Sequence, residues 1–296
     1  MANQIECQPG KYQPSPSQEG CLEASPGFFV DSPMSTDQTP CPAGTYNPVS
    51  SAINQSACIE SGEGHYVPFP GSSRQSPCIA GTFQNQTRQV SCIEADPGNY
   101  VPVDASSSQT ACSPGQYQPS PGQIICFSTD PGYFTAEQSS SSQEACQPGT
   151  YQPSSGQTSC LDTVPGYFAP DSGQSDQTPA PLDHYVPNPR SSSTELCPEG
   201  TITISSASVS VDYCLSDTDG DRIHDGADQD DDGDGINDSQ DKCPLGLTEW
   251  SSNANSDNDS DGCKDTEEDD DDDNDGFPDL QDDLPLDGSE LSLIHI

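Results

Sequence analysis

Positive charge is the scarcest commodity in this 296-residue sequence: seven Lys and Arg stand against 49 Asp and Glu, for a formal net charge of −42. Without a basic footprint to displace counterions from phosphate, nucleic acid is not an expected partner. Large apolar side chains are almost as rare. Leu, Ile, Val and Phe together make 43 of the 296 residues, about 15%, below the roughly 20% under which a strongly charged chain is read as disordered. So little apolar surface argues against an enzyme with one large packed core. No run of about 18 apolar residues occurs, and no membrane span is expected. What the chain has instead is 14 Cys, 29 Pro and 25 Gly. Either it is disordered or something other than a core holds it.

The cysteines are Cys7, Cys21, Cys41, Cys58, Cys78, Cys92, Cys112, Cys126, Cys146, Cys160, Cys197, Cys214, Cys243 and Cys263. Over the first ten, most adjacent intervals sum to 34 residues, which marks a repeat. The aromatics halve that period. Tyr12, Phe29, Tyr46, Tyr66, Phe83, Tyr100, Tyr117, Phe134, Tyr151, Phe168 and Tyr185 lie 17 apart, with one 20-residue step after Tyr46, and Ile202 takes the next slot. Two residues before nearly every one stands a glycine, as in Gly10, Gly98 and Gly166; Asp183 is the exception. Residues 1–214 therefore hold twelve units of about 17 residues.

Two flavours of unit alternate, C-x-P-G-x-Y (Cys7 to Tyr12) and C-x4-P-G-x-F/Y (Cys126 to Phe134). Pro-Gly supplies a fixed φ followed by a residue that tolerates φ > 0, hence a tight turn at the same place in each unit. Short extended segments between such turns are the expected secondary structure, with no helical period, and the aromatic can cover the neighbouring disulfide. A gap bears on the pairing. The period places a C-x-P-G-x-Y unit at Ala180 to Tyr185 with its second cysteine at Thr194, and both cysteines are missing together. Pairing each C-x-P-G cysteine with the next gives Cys7–Cys21, Cys41–Cys58, Cys78–Cys92, Cys112–Cys126, Cys146–Cys160 and Cys197–Cys214, with no orphan. The alternative register, beginning Cys21–Cys41, leaves Cys7 and Cys160 without near partners.

Paired cysteines without C-x-x-C point to an oxidising, extracellular setting rather than zinc or redox catalysis. Closing a loop of about 15 residues removes roughly 3 kcal/mol of denatured-state entropy in the chain-entropy model, so six staples can stand in for a core. The segment Cys146-Gln-Pro-Gly-Thr-Tyr-Gln-Pro-Ser-Ser-Gly-Gln-Thr-Ser-Cys160 resembles the ephrin-receptor-like (GCC2/GCC3) cysteine-rich repeats, and the likeness extends over residues 7–214. Many members of that family carry more cysteines per unit, so its bridge pattern does not transfer. The resemblance implies an extended extracellular module: a small disulfide-rich repeat array of short β segments and turns, elongated and without a large hydrophobic core.

Residues 215–296 hold 29 of the acids and only Arg222, Lys242 and Lys264, a net of −26. An acidic run is often a solvated tail, but here the spacing is regular. Four segments carry acids at i, i+2, i+4, i+8 and i+11: Asp217, Asp219, Asp221, Asp225, Asp228; Asp230, Asp232, Asp234, Asp238, Asp241; Asp257, Asp259, Asp261, Asp265, Glu268; and Asp271, Asp273, Asp275, Asp279, Asp282. These are positions 1, 3, 5, 9 and 12 of a calcium loop, in which position 7 offers its backbone carbonyl. Position 6 is Gly235, Gly262 or Gly276 in three of them and Arg222 in the first; position 7 is Ile223, Ile236, Cys263 or Phe277. Hard oxygen ligands without His or Cys disfavour zinc and copper, and magnesium rarely uses such cages. Ca²⁺ is the expected ion. Four such ions would leave −18 of the −26, charge enough to draw further ions. The loops follow one another at 13, 27 and 14 residues, too close for paired EF-hands.

Asp217 to Asp228, Asp230 to Asp241 and Asp241-Lys-Cys-Pro244 resemble thrombospondin type 3 repeats over about residues 217–288. The resemblance implies a Cys243–Cys263 bridge with Trp250 shielding it, and a calcium-organised segment that collapses when the ion is removed. Between the arrays, Thr201 to Tyr213 is the one β-branched stretch and is expected to be a strand. The organisation is thus 1–214 cysteine-rich repeats, 215–290 calcium-binding repeats, and 291–296 (Leu291 to Ile296), which reads as translated sequencing adapter. Met1 is followed by no apolar signal region, so an export signal is expected upstream.

No nucleophile elbow, P-loop or paired acids in an apolar setting is evident. His65 and His184 share one repeat slot, His224 lies in an acidic loop and His295 in the terminal hexamer. Sequons at Asn54 and Asn85 fall in expected exposed loops. The expected function is that of a secreted or cell-surface stalk, calcium-binding and structural or adhesive rather than enzymatic. The alternatives are a binding ectodomain with an extracellular protein or glycan partner, and a linker in a larger secreted enzyme.

Overall fold

A computed structural model describes residues 6–15, 18–282 and 284–288; the hexamer 291–296 lies outside them. Their contacts form two compact units: Met1–Gln147 with Tyr151–Leu161 and Ser172–Asp176, and Pro148–Thr150 with Asp162–Asp171 and Gln177–Ile296. Among the described residues there is no α-helix. Two-residue strands pair in twelve two-stranded sheets, the last joining Thr201–Ile202 to Leu215–Ser216. The fold is a small disulfide-rich, mostly-β repeat array.

Each unit begins at a tight turn, Pro-Gly in seven of the twelve. The turn glycine takes a left-handed φ, 87° at Gly10 and 83° at Gly98, and sends the following aromatic into a strand. That strand pairs antiparallel with a segment about ten residues on, in the registers Tyr12↔Leu22 and Tyr117↔Phe127 in one flavour and Phe29↔Thr39 and Tyr100↔Thr110 in the other. Hairpins this short have no independent stability; stacking supplies it. The Gly98 N–H donates to the Gln118 carbonyl (2.8 Å) and the Gly98 carbonyl accepts from Cys112 N–H (2.9 Å). Gly10 does the same with Val30 and Ala24, and in the second unit Gly166 does so with Val186 and Ala180.

The stack closes on a column of small buried residues. In the first unit it runs Cys7, Ala24, Cys41, Ser61, Cys78, Ala95, Cys112, Thr129 and Cys146; in the second it includes Thr163, Ala180 and Cys197, and none is more than 6% exposed. Cysteine thus alternates with Ala, Ser or Thr, which is the physical content of the two flavours. The buried hydroxyls are satisfied: Ser61 Oγ accepts from Gln89 N–H (3.1 Å), Thr129 Oγ1 from Gln157 N–H (3.1 Å) and Thr163 Oγ1 from Ser191 N–H (2.9 Å). The disulfides are Cys7–Cys21, Cys41–Cys58, Cys78–Cys92, Cys112–Cys126, Cys146–Cys160, Cys197–Cys214 and Cys243–Cys263. Phe29, Cys41 and Ala52 form one buried cluster against which the half-buried Cys58 packs, so at this unit the aromatic and the bridge share one apolar cluster.

Thr201 to Tyr213 is not one strand. Only Thr201–Ile202 forms a strand, Ser208 makes an isolated bridge to Tyr185, and Val211–Tyr213 forms a 3-10 turn capped by Ser210 Oγ, which accepts from Asp212 N–H. The segment is another repeat, with Ile202 in the aromatic slot. Ala207 at φ 63° breaks any extended run, and its N–H donates to the Ala180 carbonyl. The Cys41–Cys58 loop, whose cysteines are also 17 positions apart, spends its extra length the same way, on the turn Gln55–Ala57 capped by Asn54.

The turn glycine is required twice over. Besides its φ, a Cβ on Gly10 would lie 2.6 Å from the Ser51 carbonyl oxygen, and one on Gly98 would run into the Ser139 carbonyl. Gly200 has φ 71° and nothing near a Cβ. Gly200→Ala should therefore cost about 1 kcal/mol, the left-handed penalty alone. Gly98→Ala adds overpacking and should cost roughly 2–4 kcal/mol. Urea midpoints of the non-reduced protein compare the two; equal losses would refute the close-approach argument.

Candidate metal centre

The four acidic loops share one local design. In each, a left-handed residue at position 6 (Arg222 φ 79°, Gly235 100°, Gly262 89°, Gly276 98°) turns the chain back on itself. The position 5 carboxylate locks the turn by accepting the backbone N–H of position 7: Asp221 from Ile223 (2.7 Å), Asp234 from Ile236 (2.7 Å), Asp261 from Cys263 (3.0 Å) and Asp275 from Phe277 (2.9 Å). In three loops the position 1 carboxylate takes the position 6 N–H, with Asp230, Asp257 and Asp271 as acceptors. Asx turns of this kind use the side chains the sequence supplies at alternate positions.

This design converges three carboxylates per loop. One oxygen each from Asp217, Asp219 and Asp221 lie within 4.8 Å of one another, and so do those of Asp230, Asp232 and Asp234, of Asp257, Asp259 and Asp261, and of Asp271, Asp273 and Asp275. Oxygens sharing a cation at 2.3–2.6 Å sit at most about 5 Å apart. These clusters of acidic residues could hold a metal ion. The carboxylates at positions 9 and 12 also brace the backbone, each through one of its oxygens. Asp225, Asp238, Asp265 and Asp279 each accept the N–H of position 2 (2.9 Å in every loop) and so close the loop. At position 12, Asp228 accepts from Asp230 N–H, Asp241 from Cys243, Glu268 from Leu247 and Asp282 from Leu284. Glu268 and Asp232, which accepts from Gly246 N–H, tie the loops to the segment spanned by the Cys243–Cys263 bridge. Trp250 is half-buried there, its Nε1–H donating to the Leu247 carbonyl.

A fifth cluster, Asp265, Asp269 and Asp272, brings in two residues that the five-position pattern omits. Its signal was present in the unbroken acids 267–273, which place carboxylates between the third and fourth loops.

Many of these oxygens are buried without a hydrogen-bond donor. Among the described residues they include Asp217 Oδ1; Asp230 Oδ1, Asp234 Oδ2 and Asp241 Oδ2; Asp259 Oδ1 and Glu268 Oε2; and Asp271 Oδ1, Asp273 Oδ2, Asp275 Oδ2 and Asp282 Oδ2. Every loop contributes at least one. Asp232 and Asp234 are 1% exposed and Asp257 is 0% exposed. A buried anionic oxygen with no donor is costly, and a hard cation is the partner this chemistry accepts. Cationic side chains do little of that work: Lys242 Nζ meets Asp261 Oδ2 at 2.8 Å and also Asn274 Oδ1, while Lys264 pairs with Glu267. His65 and His184 sit in one repeat slot, each Nδ1 3.0 Å from the carbonyl two residues back.

The electrostatics of the ion-free loops follow. Burial, then the charges of Asp232, Asp234 and Asp238, raise the Asp241 carboxyl to about 6 against the opposing Cys243 N–H bond. Burial and the neighbouring Asp261 and Asp269 raise Asp259 to about 6. Burial and Asp279 raise Asp272 to about 7. Asp231, Asp232, Asp234 and Asp269 are also raised, first by burial. A carboxyl whose folded pKa exceeds its unfolded one holds a proton that the unfolded chain releases. Stability without metal therefore falls as pH climbs from the ordinary carboxyl range through about 6–7. In chelator, Trp250 near-UV circular dichroism should report a more ordered acidic segment at pH 5 than at pH 7.5, and a divalent cation should restore order at pH 7.5. A signal indifferent to pH in chelator would contradict this account.

No protein-family model matches the chain, and no curated protein matches it.

Proposed function

We propose that the chain is an extracellular, calcium-binding structural segment, a stalk or adhesion spacer of a secreted or cell-surface protein, and not an enzyme. The observation that carries the reading is the set of buried carboxylate oxygens without donors, at least one in each of the four loops. Calcium fits them best because it takes six to eight oxygens in flexible geometry. The resemblance of residues 7–214 to ephrin-receptor-like cysteine-rich repeats, and of 217–288 to thrombospondin type 3 repeats, supports the same reading. So do the seven disulfides, which suit an oxidising compartment. No helix among the described residues is long and apolar enough to cross a membrane.

A binding ectodomain is the second reading, and one feature favours it. In the first unit Leu22, Ile59, Ile93, Phe127 and Leu161 occupy the same hairpin slot and are each 43–47% exposed. Such a row of apolar side chains suits an extracellular protein or glycan partner.

Calcium titrated into the chelator-treated full chain should restore Trp250 fluorescence together with a calorimetric transition for the acidic segment. EDTA should abolish that transition and leave the repeat transition in place. Asp234→Asn and Asp257→Asn should each weaken calcium binding at least about tenfold, or about 1.4 kcal/mol. A thermogram identical with and without calcium would exclude the calcium assignment.

A further inference from the structure

Each array obeys a positional rule that is broken once, and the two exceptions touch. Asp183 stands where the repeats place their turn glycine, and Arg222 stands where the acidic loops place theirs at position 6. Both keep the left-handed conformation of the glycine they replace, with φ 64° and 79°. Arg222 Nη2 donates to Asp183 Oδ2 at 2.5 Å.

The reason Asp183 is tolerated is topological. At Gly149 and Gly166 a Cβ would run into the carbonyls of Arg190 and Ala207, each 41 residues on. The counterpart for position 183 is residue 224, which belongs to the first acidic loop and not to a further repeat. A side chain is therefore accommodated at 183. Its carbonyl still accepts the Cys197 N–H (2.8 Å), as the turn glycines do, while its own N–H is diverted to Thr203 Oγ1 (2.8 Å). The loop reaches back as well. Asp217, its position 1, donates its N–H to the Gly200 carbonyl (3.0 Å), the bond that Ala180 makes to Gly166. Asp217 is 5% exposed. The first carboxylate of the first loop thus occupies the place of the next residue in the buried column.

We propose that Asp183 and Arg222 form a cation-set clasp, through which calcium in the first loop orders the last repeats. The inference rests on the calcium reading above. An exposed ion pair contributes too little to hold a non-glycine residue at positive φ by itself. What holds Arg222 is the loop around it: Asp219 accepts from Asp221 N–H (3.0 Å) and Asp221 from Ile223 N–H (2.7 Å), so ligand residues bracket it. With a cation among Asp217, Asp219 and Asp221, that bracket closes and the guanidinium is presented to Asp183. Without one, three mutually repelling carboxylates open the turn, Arg222 relaxes to negative φ, and Asp183 loses its partner. The clasp is a two-state element whose balance the ion sets.

Hydrogen exchange read by mass spectrometry on the intact chain, with calcium and with EDTA, tests it in the native sequence, Asp183→Gly and Arg222→Gly. Each variant restores the rule of its own array, so folding is not at issue. In the native chain calcium should slow exchange in 217–228 and also in 183–203, the latter by at least about fivefold. In both variants the slowing of 217–228 should persist while that of 183–203 is lost. Native-like slowing of 183–203 in both variants overturns the clasp, as does protection of 217–228 alone in the native chain. If calcium leaves 217–228 unprotected in the native chain, the calcium reading fails and the clasp fails with it.

Discussion

The close approach of a backbone carbonyl to the turn glycine, two repeats earlier in the chain, is the constraint on which the array depends. Where Gly98 meets Ser139 and Gly132 meets Gly173, there is no room for a Cβ. Backbones this close bring the hydrogen bonds of successive turns into line and leave only a narrow column between them. Small residues alone fit that column, hence the alternation of cysteine with Ala, Ser and Thr. The chain is poor in large aliphatics because its interior has no place for many of them. Disulfides supply from the unfolded side what burial would otherwise provide, by restricting the denatured ensemble.

The acidic segment solves the same problem with different chemistry. It too turns at left-handed positions, Gly235, Gly262 and Gly276 among them, and it too surrounds a small interior. That interior is lined with carboxylate oxygens. Hydrogen bonds from the loop's own N–H groups occupy one oxygen of Asp234 or Asp275 and leave the other buried without a donor. Without a metal, burial and the neighbouring carboxylates favour the protonated form, raising Asp241 and Asp259 to about 6 and Asp272 to about 7. Charge that disfavours folding by itself here lines clusters that could hold a metal ion.

Much of this could be read from residue spacing because both interiors are built from periodic, chemically distinctive residues. The paired loss of cysteines at 180 and 194 pointed to one disulfide register, and the alternate acids of each loop marked the residues that converge. What escaped was carried by chemically ordinary residues. Ala95 and Thr129 occupy cysteine slots, but nothing in an Ala or a Thr announces burial. Gln84, Gln118 and Gln152 are buried beside the aromatics, their amides donating to the carbonyls of Ser91, Ile125 and Ser159; a glutamine reads as surface until its partners are seen. Asp269 and Asp272 hide in a run where every residue is acidic. Thr201 to Tyr213 misled because β-branched side chains favour extended backbone locally, whereas the repeat imposes two-residue strands wherever it recurs.

The passage from one interior to the other bears on whether the two arrays are merely adjacent. A flexible join would need neither array's pattern to persist past its end. Instead, the strand pair between Thr201–Ile202 and Leu215–Ser216 carries the repeat beyond its last cysteine, and Asp217 then makes the next hydrogen bond to the Gly200 carbonyl. One residue is at once a member of the buried column and the first carboxylate of the first loop. The backbone of Asp217 is thereby fixed by the repeat, whatever its carboxylate binds. The first loop is in that respect pre-organised, whereas the later loops are ordered by their own turns and by the Cys243–Cys263 bridge.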